Sequence, residues 1–404
     1  MGRWTTAAIS VLIVGTVLLA SCGTSRPRAS HSSTSLAPTT TAAPTTTTIP
    51  YTGPKITSIS GVSCANAMHC WAGASLGASG DEGAILASTD GGATWNVQEL
   101  IPGVDGIGPI NCSSETHCMA AGGRLVSQEP PLLLSTTNGG ASWSMQAMSS
   151  GVFSLDAMSC LNDSDCWLVA EKPQGFDLVM ATTNWGESWT VQDQSSIEVS
   201  MSVRFGISCS STSDCVVVGS GALTTINGGS TWQKHTFPGT SPGELNVLSC
   251  PSISLCVAEE DVTSGVPANE STVIATSDDG GSTWEDVETV GGDVGVLGNL
   301  SCPTVENCVS VGSGYTLTSG SPYSGEYAFW GAVETTADGG STWNRIEEPQ
   351  ASNLFGVSCV TGTTDCVAVG YSAPANAAVG GPSSTGVILK TVDDGSTWTE
   401  EPLP

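Results

Sequence analysis

Basic residues are scarce in this chain: 10 Lys and Arg stand against 38 Asp and Glu among 404 residues, a net charge of −28. All the acidic residues and only six of the basic ones follow residue 55, so that part carries −32. Phosphate backbones repel such a polyanion, and nucleic acid is excluded as a partner. Histidine numbers only four, too few for a repeated His-based centre, and no metal or cofactor is expected. No phosphate-binding loop and no Cys-x-x-Cys redox motif occurs. Charged residues total 12%, about half the usual ~25%. Apolar residues at 39%, with 12 Trp, still suffice for a core, so wholesale disorder is excluded as well.

Long apolar runs are also missing, except at the N-terminus. Residues 7–20 form an apolar stretch of 14 residues behind Arg3. A helix needs ~20 residues to cross a bilayer core of ~30 Å, so residues 1–22 read as an export signal instead. The stretch ends in Leu19-Ala20-Ser21-Cys22, which resembles a bacterial lipobox; the alternative is an ordinary signal peptide with an incidental Cys. The resemblance implies that Cys22 becomes the first mature residue and carries diacylglycerol, a membrane anchor outside the cytoplasm. Residues 23–55 are rich in Thr, Ser, Pro and Ala, lack periodicity and bury almost nothing, as expected of a disordered linker. Such a segment spans roughly 30 Å as a coil and up to about 100 Å when extended, holding the acidic body away from anionic lipid.

From residue 56 to 404 one unit is written seven times. The motif [ST]-x-[DN]-x-G-x-[ST]-W occurs at 88–95, 136–143, 182–189, 225–232, 277–284, 336–343 and 391–398. A Cys pair precedes each copy: Cys64/Cys70, Cys112/Cys118, Cys160/Cys166, Cys209/Cys215, Cys250/Cys256, Cys302/Cys308 and Cys359/Cys366. These use 14 of the 15 Cys and leave Cys22, which favours the lipobox reading. Such cysteine use points to an oxidising compartment. The fourth copy shows the unit most compactly, with short β-rich runs at 205–209, 215–219, 222–225 and 231–236. Four strands per unit at this period predict an all-β fold, a seven-bladed β-propeller of four-stranded antiparallel blades. Each Cys pair would bridge the end of the first strand and the start of the second, closing a small ring worth about 2 kcal/mol.

The tryptophan-ended motif resembles the BNR/Asp-box repeats of sialidases, sortilin-type receptors and xyloglucan hydrolases. The blade count resembles the photosystem II stability/assembly-factor-like propellers. The resemblance implies fold more than function, because unrelated activities share the box. Its residues read as structural. Asp90, Asn138, Asn184, Asn227, Asp279, Asp338 and Asp393 can accept backbone N–H groups of their own turns. Asn serves in three copies and cannot ionise, which argues against acid–base or metal work. Trp95, Trp143, Trp189, Trp232, Trp284, Trp343 and Trp398 would bury their rings between strands.

The repeat is broken in informative places. Alternating strands put the first and third turns of each blade on one face and the remaining loops on the other, where lengths vary, as expected of a binding face. Residues 313–330 form the longest such loop and hold Tyr315, Tyr323, Tyr327, Phe329 and Trp330; 261–271 and 371–386 are extended too. Glu259 and Glu334 occupy positions that are apolar or Gly in the compared copies. Rules tend to break at functional sites, and the alternative is that both sit near strand ends and reach water. The segment 162–165 (NDSD) faintly resembles a calcium loop but reads better as a turn.

Two functions follow as expectations. The first is a tethered, monomeric binding or scaffold module whose loop face in blades 5–7 takes a protein or glycan. Contacts would be centred on Tyr315, Tyr323, Tyr327 and Trp330. The second is a glycoside hydrolase using Glu259 and Glu334 as its carboxylates. Sialidase chemistry is disfavoured, since the propeller offers only Arg124, Arg204 and Arg345 and lacks an F-R-I-P-like segment. The basic patch of the assembly-factor family is not evident either. Each blade should be contiguous chain, the last having its own fourth strand from Thr397 to about Leu403. Blades 1 and 7 would then meet by side-chain packing alone.

Overall fold

Strand two of the fourth unit, Cys215–Val218, is a Cys followed by three β-branched Val, without polar alternation. Both of its faces are covered. Val217 packs with Val169 and Val179 of the preceding blade, whereas Val216 and Val218 pack with Ala258 and Ala275 of the following one. A sheet sandwiched between two sheets needs apolar side chains on both faces, and its strands read as short continuous runs. Radial stacking of such sheets is a propeller.

The computed structural model describes residues 51–404, apart from segments 78–81, 125–129, 149–150, 173–175, 194–204, 238–244, 263–270, 292–293, 321–325 and 375–382. The export signal, Cys22 and most of the linker precede the described residues. These form seven antiparallel sheets of four strands in simple order. Blade 1 is β1 (Ile56–Cys64), β2 (Cys70–Leu76), β3 (Glu82–Ser88) and β4 (Asn96–Pro102). Blade 4 is β13 (Gly206–Cys209), β14 (Cys215–Val218), β15 (Ala222–Thr225) and β16 (Gln233–His235), close to the runs expected. The other inner strands are β5 (Val104–Cys112), β9 (Ser154–Cys160), β17 (Leu245–Ser249), β21 (Val294–Ser301) and β25 (Asn353–Cys359). Blade 7 closes with β26 (Cys366–Ser372), β27 (Thr385–Thr391) and β28 (Thr399–Glu400). Among the described residues no strand is interlocked between first and last blades.

The seven expected disulfides are all present, one per blade. Their positions follow from register: Cys64 lies directly opposite Cys70, and Cys209 opposite Cys215. Placement at a strand end does not make these cysteines surface groups, however. Cys118 and Cys166, the second members of the blade 2 and blade 3 pairs, are 0% exposed. The reason is stacking between blades. Cys118 packs in the cluster of Trp71, Ile85 and Trp143 between blades 1 and 2, and Cys166 packs with Met119 and Trp185 between blades 2 and 3. Neither is presented to solvent as a binding or redox group; both belong to the core.

The tryptophan-ended turn docks on the disulfide turn of its own blade. The fourth residue of each turn donates its backbone N–H to a carbonyl there, as Gly91 to Met68 and Gly228 to Ser213, and this repeats in every blade. The two turns therefore share one face, as the alternation required.

Two expectations about closure change. The last strand is only Thr399–Glu400; one more bond, from the Glu401 N–H to the Ile388 carbonyl, follows before the chain leaves the sheet, and Leu403 packs on the core shared by blades 1 and 7. Nor is the seam held by packing alone. The Cys64 N–H donates to Ser358 Oγ at 2.9 Å across it.

That bond belongs to a closed ring. The residue before each first Cys accepts from the backbone N–H of the equivalent Cys in the next blade: Ser63, Asn111, Ser159, Ser208, Ser249, Ser301 and Ser358 in turn. The inner strands have no partner strand toward the axis, so these buried N–H groups need a side-chain acceptor. Ser-Cys, with Asn111-Cys112 as its variant, provides one. The seam is chemically the same as the other six junctions.

Candidate functional site: the loop face and the axial channel

The repeated turns are structural in detail. Ser88 Oγ accepts from the Gly92 N–H at 2.8 Å and donates to Asp90 Oδ1 at 2.8 Å. Asp90 Oδ1 accepts from the Thr94 N–H at 2.9 Å, and the Trp95 indole donates to the Gly92 carbonyl at 2.8 Å. In the second copy Asn138 Oδ1 accepts from the Ser142 N–H at 3.0 Å, while its Nδ2 donates to the Ser142 hydroxyl at 2.9 Å. In the first copy the equivalent Thr94 hydroxyl donates to Asp90 Oδ2 at 2.6 Å, whereas here the Ser142 hydroxyl accepts, so no ionised group is needed. These donors and acceptors are consumed by the turn itself. Among the described residues no cluster of three or more His, Cys, Asp or Glu could hold a metal. Segment 162–165 is the first turn of blade 3, as expected, and Asp163 accepts from Ser113 and Ser114 of blade 2 at 2.8 Å each.

The opposite face carries the irregular elements. Residues 313–330, expected as a loop, are mostly strand. β22 (Cys308–Ser319) and β23 (Glu326–Thr336) pair far beyond the body of blade 6. Their flanking strands stop short of it: β21 reaches no further than Gly314 and β24 (Asn344–Glu348) ends opposite Gly331. The hairpin therefore projects with both edges unpaired. Tyr315 opposes Phe329 and Leu317 opposes Tyr327, which puts all four on one face. Tyr315 is the buried base of this stripe, 4% exposed, with Tyr327 edge-on at 5.6 Å and Phe329 at 6.5 Å. Phe329 and Leu317 are 54% and 38% exposed. Trp330 lies on the other face, half-buried against the core between blades 5 and 6. Of the expected contact residues, Tyr315 and Trp330 thus support the hairpin, Tyr327 is partly accessible, and Tyr323 lies outside the described residues. Leu317 carries no signal of its own in the sequence; strand alternation alone places it on the aromatic face.

Glu259 and Glu334 are interior residues, at 0% and 2% exposure, so they do not reach water as the alternative reading had it. Glu259 lies opposite Val247 and Ile274, both in the apolar cluster shared with Leu297 and Ala332 of blade 6. Directly opposed residues share a face, so Glu259 faces blade 6. Ala332 and Glu334, two apart on one strand, also share a face, so Glu334 faces blade 5. There Arg345 Nε donates to Glu334 Oε1 at 2.9 Å. The two consensus-breaking carboxylates therefore lie in the same interblade layer, with one guanidinium bound to one of them.

The third feature is the axial channel, about 680 Å³, lined by the inner strand of every blade. Its wall is set by a repeated irregularity. Six inner strands lose register at or beside the fourth residue before the first Cys, and in blade 4 the strand starts just after it. A bulge re-aims a side chain. The residues so placed are Ser60, Gly108, Asp156, Phe205, Asn246, Gly298 and Phe355, and all line the channel. Asp156 escaped the sequence reading, since no motif marks it. Burial pushes its carboxyl up to about 6; the Ser154 hydroxyl opposes this and Glu171 adds to it.

No protein-family model and no curated protein matches this chain. Solved structures do. YCF48 bound to a D1 peptide is 20% identical, with TM-score 0.52, covering 78% of this chain and 91% of that one. This chain has the YCF48 propeller fold. YCF48 from Cyanidioschyzon merolae is 16% identical with TM-score 0.54, covering 84% of this chain and 96% of that one. The GH74 enzyme of Niastella koreensis aligns at TM-score 0.45 and 12% identity, over 85% of this chain and 65% of that one.

Proposed function

We propose that this protein is a binding or scaffold lipoprotein outside the cytoplasm. It would be tethered through Cys22 and recognise a protein or glycan with the loop face of blades 5–7. The observation that carries the reading is the blade 6 hairpin, which exposes Phe329 and Leu317 beyond any neighbouring strand. Exposed apolar groups on a rigid support are costly in water and mark contact surfaces. A propeller of the same fold is described with a bound peptide, which supports a protein as the partner. The hydrolase reading would require substrate to reach Glu259 and Glu334, and both are enclosed between blades.

The test is a glycan and envelope-protein binding screen of the full-length protein, wild type against Leu317→Ser/Phe329→Ser, with hydrolysis of the same glycans assayed alongside. A ligand held by wild type and lost by the variant is expected. Equal retention by the variant, or glycan turnover abolished by Glu259→Gln, would replace this reading.

A further inference from the structure

The two ends of the axial channel are built differently. At the disulfide end the residue before each first Cys is Ser in six blades and Asn in one, and each already accepts an interblade hydrogen bond. Toward the loop face, three residues earlier in each inner strand, the bulged positions read Ser, Gly, Asp, Phe, Asn, Gly and Phe around the ring. A position that only closed the ring would repeat, as the other end does. This one differs from blade to blade. Among the described residues that line the channel, Asp156 is the sole ionisable group, and there is no Lys, Arg or His.

The geometry points to a site for a primary alkylammonium group in the loop-face end of this channel, with Asp156 as its counter-ion. An ammonium brings three N–H donors. Asp156 supplies the opposite charge and an acceptor carboxylate, and the Ser60 hydroxyl lines the same ring. Phe355 lines the same layer, and the edge of Phe205, otherwise packed between blades 3 and 4, reaches it; aromatic rings attract organic cations and give an alkyl chain apolar surface. Gly108 of blade 2 leaves room: a Cβ added there would find nothing closer than 3.9 Å. The channel volume of 680 Å³ falls within the roughly 300–1,000 Å³ of small-molecule sites. A hard divalent metal fits poorly, since it asks for six or more oxygen ligands and usually several carboxylates. The charge of −32 on the surrounding body draws cations toward the mouth. Glu171 is the one charged group acting on Asp156, and the Ser154 hydroxyl lies near both carboxyls, donating to Glu171 Oε2 at 3.2 Å.

The same ammonium could arrive as a free amine or as a lysine side chain of a partner, and two probes separate these sources. Full-length protein is titrated calorimetrically with cadaverine and with Nα-acetyl-lysine amide at pH 7.5 and pH 5. Saturable binding of at least one is expected, about tenfold weaker at pH 5, where Asp156 is mostly protonated. Asp156→Asn should weaken binding at least tenfold at pH 7.5 and abolish the pH dependence. Gly108→Val, which keeps the carboxylate but narrows the channel, should weaken binding comparably. Leu317→Ser/Phe329→Ser should leave it unchanged, so the hairpin reading and this one fail separately. Binding of the lysine derivative indicates a protein side chain, and binding of cadaverine alone a free amine. No saturable binding of either probe, or equal binding by wild type and Asp156→Asn, would overturn the site.

Discussion

At the scale of single residues, the turn repeated in each blade needs two successive left-handed positions, usually Gly-Gly. Gly91 and Gly92 have φ of 69° and 87°. Trp185 and Asp394 hold the first of these positions without being glycine, at φ 53° and 54°, a conformation costing roughly 1 kcal/mol or more for such residues. Trp185 is compensated: its ring is buried and its indole donates to the Thr136 carbonyl of the neighbouring blade at 3.1 Å. Asp394 has no such return, and burial together with Asp393 raises its carboxyl pKa. Asp394→Gly should therefore stabilise the protein by about 1 kcal/mol, and Trp185→Gly should destabilise it by about 3 kcal/mol, both measured by chemical denaturation. Arg345 offers a contrasting case. Arg345→Met leaves Glu334 without its guanidinium in the interior and should cost about 3–5 kcal/mol. Restoring the repeat with Glu259→Val/Glu334→Leu/Arg345→Met should be neutral or stabilising, and a loss comparable to that of Arg345→Met would contradict this account.

At the scale of elements, three devices hold neighbouring strands together: the disulfide within a blade, the turn docked on it, and the Ser-Cys hydrogen bond to the next blade. The last is the only one of the three that crosses the seam. Ser358→Ala removes the acceptor of the Cys64 N–H and should cost about 1 kcal/mol. Faster amide exchange should appear at Cys64 and nearby blade 1 strands, with blades 3–5 unaffected. Uniform acceleration around the ring would mean that the blades do not open separately. The blade 6 hairpin shows the opposite principle. Its unpaired edges lie beyond β21 and β24, so its own ladder, cross-strand pairs such as Tyr315–Phe329 and the packing of Trp330 at its base hold it.

At the scale of the whole molecule, acid and neutral pH pull on different groups. The turn carboxylates titrate below the ordinary value of 3.8: Thr342 Oγ1 is the chief cause for Asp338, and Thr391 Oγ1 for Asp393. For Asp90 and Asp279, burial acts upward but the several hydrogen bonds outweigh it. Depressed carboxylates stabilise the fold above about pH 4, and this is lost as pH falls through their folded values. Asp156 works the other way. Its value rises from 3.8 to about 6, so its contribution is favourable at low pH and fades as pH rises from about 4 through about 6. Melting temperature followed from pH 4 to 7 should decline less in Asp156→Asn than in wild type; parallel curves would show that Asp156 ionises freely. Membrane attachment is tested by Cys22→Ala, which should release the protein from the membrane fraction after a salt wash.

Blade count, the four-strand unit, the disulfide pairing and the structural use of the turns are all legible in the chain alone. Each of these is local and repeats seven times, so coincidence in phase reveals it. Tertiary structure decided what depends on juxtaposition across blades. The pairing of Cys118 with Cys112 and of Cys166 with Cys160 is legible in the chain, but the depth of Cys118 and Cys166 is not, because the neighbouring blade supplies the side chains that enclose them. The Ser before each first Cys is equally plain to see, and its role appears only when the next blade's N–H arrives beside it. Glu259 and Glu334, 75 residues apart, stood out by breaking the repeat, yet only stacking of blades 5 and 6 placed them in one buried layer. Asp156 gave no signal at all. One bulge turns it to the axis, and six other strands must close around that axis before a channel exists for it to face.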